Sequence, residues 1–159
     1  MKILSIDPGS SMSGFCIFDG EKIFKSDKVE NQIILEIMED YINHFDLVSI
    51  EMLKSYGMLI GDSILETAVW IGRFEQHAIN LNKNVYKIHR KAVVTHLCGS
   101  PKANDSNVKR ALIDRYAPNT PNYGKGSKQE KGFFYGFKAD IWSAFSIAVY
   151  THDHIENIC

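Results

Sequence analysis

Cysteine is scarce in this sequence of 159 residues: Cys16, Cys98 and Cys159 are all it has. Their number is odd and their spacings match no metal-binding pattern. This argues against a disulfide framework or a zinc module and reads as reduced packing cysteine of a cytosolic protein. No apolar run approaches the roughly 20 residues that a membrane-spanning helix needs. The opening apolar run is cut at Asp7 and Pro8-Gly9, too early for a signal peptide. The expected location is therefore the cytoplasm, away from membranes. Proline is also rare, with four residues in all. Neither sign of charge dominates, since the net charge is −1. What is present, 45% hydrophobic and 23% charged residues, is the ordinary composition of one globular domain spanning 1–159.

The near-zero net charge conceals a strong asymmetry. Residues 1–82 hold 6 basic and 13 acidic side chains, residues 83–131 hold 11 and 3, and residues 132–159 hold 1 and 3. A basic middle between acidic flanks suits a face for a polyanion. A solvated surface whose charges merely cluster in sequence is the plainer alternative.

Hydrophobic patterning predicts strands at 2–6, 14–18, 21–26, 46–50 and 85–88, with Asp19-Gly20 as a hairpin turn. Helices are expected at about 30–44, 62–81, 90–97, 105–116 and 138–152. The first would present Ile33, Ile34, Ile37, Met38 and Tyr41 on one face. The last would bury Ile141, Ala144, Phe145, Ala148 and Val149. Segment 117–132, rich in Pro, Asn, Gly and Lys, reads as a mobile loop with nothing apolar to anchor it. Three antiparallel strands followed by alternating helices and strands give an α/β fold: a mixed five-stranded sheet with helices on both faces.

Three acids stand at suggestive places. Asp7 ends the first strand and leads into Pro8-Gly9-Ser10-Ser11-Met12-Ser13-Gly14, a turn with little side-chain bulk. Glu51 ends the strand at 46–50. Asp140 falls on the first turn of the final helix. Neighbouring strand ends converge on one sheet edge, and carboxylates gathered there repel one another unless a cation compensates. Hard oxygen donors suit Mg²⁺ or Mn²⁺. Taken singly, Asp7 also reads as an Asx turn and Asp140 as a charge favoured near a helix N-terminus. His89, His96, His152 and His154 have no zinc-site spacing and read as surface or helix-end residues.

Asp7-Pro8-Gly9 with Ser13-Gly14, then Ser49-Ile50-Glu51, then the run from Ala139 to Ala148 resemble the motifs of the RuvC family of Holliday-junction resolvases. That family lies within the ribonuclease-H-like superfamily, and the resemblance spans nearly the whole chain. It implies a homodimeric endonuclease that cuts branched DNA by phosphodiester hydrolysis with two Mg²⁺ or Mn²⁺ ions per site. It leaves 5′-phosphate and 3′-hydroxyl ends, in DNA recombination or repair of a bacterium or a phage. Asp7 would bridge the ions, and Glu51 and Asp140 would hold one each. In the ungapped match the family's fourth acidic position is Ser143 in this chain, so a hydroxyl or a water would complete that shell; an alternative match sets Asp140 at that position and Phe137 at the one before it, but shifts the following apolar helix out of register. The family's aromatic wedge position is Lys54, with Tyr56 two residues on and able to stack on a base. The helix at 62–81 carries Ile64, Leu65, Ala68, Val69 and Ile71 as a dimer seam or as sheet cover. Lys87, Arg90, Lys91, Lys102, Lys109, Arg110, Arg115, Lys125, Lys128 and Lys131 would meet phosphates.

Three other readings compete. Two-domain phosphotransferases of the actin and hexokinase type open with a similar strand and turn, but 159 residues supply one such domain only. A weakly catalytic binder of branched DNA is motivated by Ser143. A single-domain nuclease that trims ribosomal RNA precursors shares the core but lacks the long basic loop.

Overall fold

The computed structural model describes residues 1–158, with side chains described as far as residue 155; Cys159 lies outside them. Five strands, β1 (Ile3–Asp7), β2 (Met12–Phe18), β3 (Ile23–Glu30), β4 (Leu47–Met52) and β5 (Asn84–His89), form one sheet in the order β3-β2-β1-β4-β5. The first three strands are an antiparallel meander, and β4 and β5 add in parallel. The helices are α1 (Asn31–Asp40), α2 (Asp62–Asn80), α3 (Arg90–Cys98), α4 (Asp105–Tyr116) and α5 (Ala139–Ile158). Among the described residues, no helix is long and apolar enough to cross a membrane.

The two faces of the sheet bury separate cores because side chains alternate along each strand. Leu4, Ile6, Phe15, Ile17, Val48 and Ile50 pack on α1 and α2 through Ile34, Met38, Ile71, Phe74 and Ala78. On the opposite face, Cys16 and Phe18 join an aromatic cluster of Phe134, Phe137, Trp142 and Phe145 with α4 and α5. Polar residues at the centre of that second face are all bonded. Ser5 Oγ donates to the carbonyl of Ala144 at 2.7 Å, and Thr151 Oγ1 donates to Ser49 Oγ at 2.9 Å. These bonds clamp α5 across β1 and β4 and fix the height at which its first turn meets the sheet edge.

Several elements differ from the sequence-based expectation. β3 runs to Glu30 rather than ending near 26. It is an edge strand with little apolar alternation, so only its backbone pairing with β2 shows its extent. The first helix stops at Asp40, and a 3-10 turn (Ile42–His44) follows. In that helix Ile34, Ile37 and Met38 are buried while Ile33 is 37% exposed. Ile71 of α2 is buried against the sheet and so takes no part in an exposed seam. Of the cysteines, Cys16 packs in the core and Cys98 is partly covered, both as free thiols.

The largest correction concerns segment 117–132, which is anchored. Gly132 N–H donates to the Lys125 carbonyl at 2.9 Å, Phe134 N–H to Gly124 at 3.0 Å, and Ser127 N–H to Glu130 at 2.9 Å. Gly124 and Gly126 sit at φ +79° and +69°. A Cβ on Gly124 would lie 2.7 Å from the Phe134 ring, so the close turn requires glycine there. The apolar anchors lie at the two ends of the segment: Ala117 and Phe134 are both buried.

Candidate active site

Strand register puts the first two acids side by side. Ile6 of β1 pairs with Ile50 of β4 in parallel, so the next residues, Asp7 and Glu51, stand abreast on the α5 face. In the other direction Asp7 pairs with Gly14 of β2, and Gly14 with Lys28 of β3. Lys28, Gly14, Asp7 and Glu51 thus form one row across four strands. Gly14 is the gap in that row through which α5 enters. A Cβ there would come within 3.0 Å of Asp140 Cβ and closer still to its backbone. With no side chain in the way, Asp140 sits over the row, and its carboxylate forms an ion pair with Lys28. Gly14→Ala is therefore expected to push back the first turn of α5. It should lower the melting temperature and any metal-dependent activity together; an unchanged melting temperature would contradict the close approach.

The electrostatics follow from this crowding. Burial pushes the Asp7 carboxyl up to about 7, helped by the charges of Glu51 and Asp140. Arg90 and a hydrogen bond from Ser143 pull the other way. Burial also raises Glu51, with Arg90 opposing and Asp105 adding to the rise. A buried carboxylate with two acidic neighbours is short of positive charge, and a hard divalent cation supplies it. Asp7, Glu51 and Asp140 are oxygen donors of the type such an ion takes. Ser143 faces Asp7 as the expected helix position would, but it brings a neutral hydroxyl. Among the described residues, no three His, Cys, Asp or Glu side chains are gathered into a finished metal cage; the Asp140 carboxylate is turned to Lys28.

The basic residues divide by place. Arg90, Lys109, Lys125 and Lys138 line a cavity of about 300 Å³ together with Trp142 and Ser143, beside the acidic row. Lys109 Nζ lies 5.2 Å from the Trp142 ring centre and 5.1 Å from that of Tyr123. Lys54, Tyr56 and Lys91 line a second, shallower groove with His89, His96 and His154. Tyr56 is 58% exposed, and Lys54 Nζ sits 5.4 Å from its ring centre. Lys131 lies over Tyr135, and Lys128 is exposed at the tip of the anchored turn. Other basic residues have acidic partners instead. Lys87 pairs with Glu75 at 2.8 Å, Arg110 with Asp114 at 3.0 Å, and Arg115 with Asp153 at 2.6 Å. Lys102 and Arg110 line a patch between α3 and α4, with Asp114.

Among the histidines, His96 and His154 meet edge to face at 4.5 Å, and Asp153 bonds His96 Nε2 at 2.7 Å. Burial opposes ionisation of Asp153, but the bonds from Arg115 and His96 hold it well below the usual carboxylate range. The sequence reading missed Lys28 and Lys138. The signal for Lys28 lies in the hairpin register, which sets it two strands from Asp7, and it cannot be seen until β3 is extended to Glu30.

The sheet order and the helix crossing it define a mixed α/β fold. Among the solved structures that share it are Holliday junction resolvases. Thermus thermophilus RuvC matches with a TM-score of 0.75 at 15% identity, covering 99% of this chain and 96% of its own. The same protein in complex with a Holliday junction substrate matches at 0.72 and 13% identity, with coverage of 99% and 96%. The yeast mitochondrial Holliday junction resolvase Ydc2 matches at 0.59 and 11% identity, over 99% of this chain and 86% of that one. No family model matches the sequence, and no curated protein matches it. At these identities the likeness is one of fold.

Proposed function

We propose that this chain is a divalent-metal-dependent endonuclease that cuts branched DNA, four-way junctions above all, by phosphodiester hydrolysis. The observation that carries the reading is the row of Asp7 and Glu51 with Asp140 over it, bordered by a basic cavity. Asp7, Glu51 and Asp140 would hold the cation, which supplies Lewis-acid stabilisation and a more acidic water when bound. The protein's own part is positional. Lys109, Lys125 and Lys138 draw the phosphodiester toward the acidic row, and the Ser143 hydroxyl keeps the Asp7 carboxylate in place. The Lys54–Tyr56 groove would take a flanking strand, with the tyrosine ring as a stacking surface. Phosphate contacts of this kind position DNA without reading its sequence.

A panel of labelled four-way junction, fork, linear duplex and structured RNA, each incubated with Mg²⁺ or Mn²⁺, tests the reading. Preferential cutting of the branched DNA is expected. Tight binding with no cutting favours the second reading, a branched-DNA binder, which the neutral Ser143 and the Asp140–Lys28 pair make specific. Cutting of RNA alone would overturn both.

The same proposal includes a homodimer. Met58, Leu59, Ile60, Ile64, Leu65 and Val69 are all exposed, Leu59 fully; the first five line one apolar groove between α2 and the loop before it, and Val69 lies one helical turn beyond Leu65. A monomer leaves such a patch in water, and a second copy would cover it while giving one site for each of two opposed strands. Leu65→Glu with Val69→Glu is expected to turn a dimer into a monomer in sedimentation velocity. A wild-type protein that stays monomeric at micromolar concentration would contradict this.

A further inference from the structure

A cation stands beside the acidic row, on the cavity that Ser143 also lines. Arg90 is the first residue of α3 and follows β5 directly. His89, the residue before it, pairs with Met52 next to Glu51, so the guanidinium springs from the same sheet edge as the acids. Its Nη1 reaches Ser146 Oγ at 3.5 Å, one turn along α5 from Ser143. Its Nη2 forms an ion pair with Asp105 at the start of α4. The Arg90 side chain is 28% exposed, whereas that of Asp105 is 87% exposed. Arg90, Asp105 and Ser143 line one cavity. A half-buried arginine beside two buried carboxylates is held in place by its direct acidic partner, whose own charge stands out in solvent, where it is screened.

We propose that Arg90 takes the place of a second cation, so that the site works with one divalent ion and one guanidinium. This rests on the nuclease reading above. The charges favour it. Asp7, Glu51, Asp140 and Asp105 carry four negative charges against the two positive charges of Arg90 and Lys28, and one divalent ion closes that difference. A second ion added beside Arg90 would leave the site in excess of positive charge. Ser143, which meets Asp7 with a neutral hydroxyl, adds no charge that would call for a second ion. In the reaction, a water oxygen bonds to phosphorus, the bond from phosphorus to the 3′ oxygen breaks, and that oxygen leaves with the electron pair and takes up a proton. The water's surplus proton passes through the carboxylates to solvent. Arg90 donates N–H bonds to the phosphate oxygens, whose charge grows along this path; its planar fork suits them.

The test combines activity with ion counting. Arg90→Gln is expected to lower kcat on a four-way junction about 100-fold, with the Kd for the junction changed only a few-fold. Adding Ser143→Asp to Arg90→Gln is expected to restore roughly a tenth or more of the lost rate and to steepen its dependence on Mn²⁺. Mn²⁺ binding to the protein alone, read from the electron paramagnetic resonance of the free ion, should saturate at one ion per protomer in the wild type and two in the double variant. Two ions in the wild type, or an Arg90→Gln protein that cuts like wild type, would overturn the proposal while leaving the nuclease reading intact. A wild type that cuts no branched DNA defeats the nuclease reading, and the Mn²⁺ count still decides the role of Arg90.

Discussion

Asp7→Asn is expected to cut the rate of branched-DNA cleavage severely and, at the same time, to make the metal-free protein more stable above neutral pH. The two effects have one origin. Asp7 is held among buried groups beside Glu51 and Asp140, and its carboxyl is pushed up to about 7 from an ordinary 3.8. The folded state therefore keeps a proton that the unfolded chain releases. The contribution of Asp7 is most favourable below pH 3.8, declines as pH rises, and levels off above about 7. Three pH units of displacement correspond to about 4 kcal/mol at most. An asparagine has the same shape and no charge, so it escapes this cost. Asp7→Asn should raise the melting temperature in EDTA at pH 8 by about 5 °C, with little gain at pH 4, where Asp7 is neutral in the folded state and only partly ionised in the unfolded chain. Saturating Mg²⁺ or Mn²⁺ should raise the melting temperature of the wild type and leave that of the variant nearly unmoved. Cutting should fall on the order of 10³-fold, while junction binding holds or tightens because one negative charge is gone. Scanning calorimetry at the two pH values, with and without metal, checks each part. A variant less stable than wild type at pH 8 would show that Asp7 is not electrostatically strained.

Phe134→Ala is expected to produce the largest loss of stability. The ring is fully buried and touches Phe133, Phe137, Trp142 and Phe145 with centroid distances of 4.4 to 5.6 Å. Truncating it leaves a cavity among aromatic neighbours and should cost about 3–5 kcal/mol. Thermal unfolding should move down by roughly 10 °C. The same change unpins the segment from Ala117 to Gly132, whose backbone bonds close around Gly124 and Phe134. Trypsin should then cut at Lys125, Lys128 and Lys131 well before the rest of the chain. Equal resistance in variant and wild type would mean that the turn network holds without its anchor.

That anchor also shows where the sequence was readable and where it was not. Composition alone marks 117–132 as a loop, correctly, but order depends on a residue just beyond it. Phe134 reads as one of several aromatic residues until the fold brings it against α5. Asp7 and Asp140 were legible because one ends a strand and the other begins a helix, with Pro8-Gly9 marking the end of β1; Glu51 was expected to end its strand, but β4 runs on to Met52. Their arrangement abreast was not legible, since it depends on the register of β1 against β4, which two apolar strands do not specify in sequence. Lys28 was missed for a related reason. It lies on a polar edge strand whose pattern never alternates, and only its pairing with Gly14 brings it to Asp140. Arg90 was read as one more phosphate contact. Its standing beside Asp7 and Glu51 needs both the β5 register and the ion pair from Asp105. In α2 the sequence could not tell sheet cover from exposed face. Ile71 turned inward, and Ile64, Leu65 and Val69 turned out.

The nuclease reading meets its most direct test in one measurement: a four-way junction labelled on one strand, incubated with wild-type protein first in EDTA and then in Mg²⁺ or Mn²⁺. The predicted result is no product in EDTA, and nicked duplexes with 5′-phosphate and 3′-hydroxyl ends that a ligase reseals once metal is added. An intact junction in the presence of either metal, or cutting that proceeds in EDTA, would contradict the role of Asp7, Glu51 and Asp140 as the carboxylates that hold a catalytic cation.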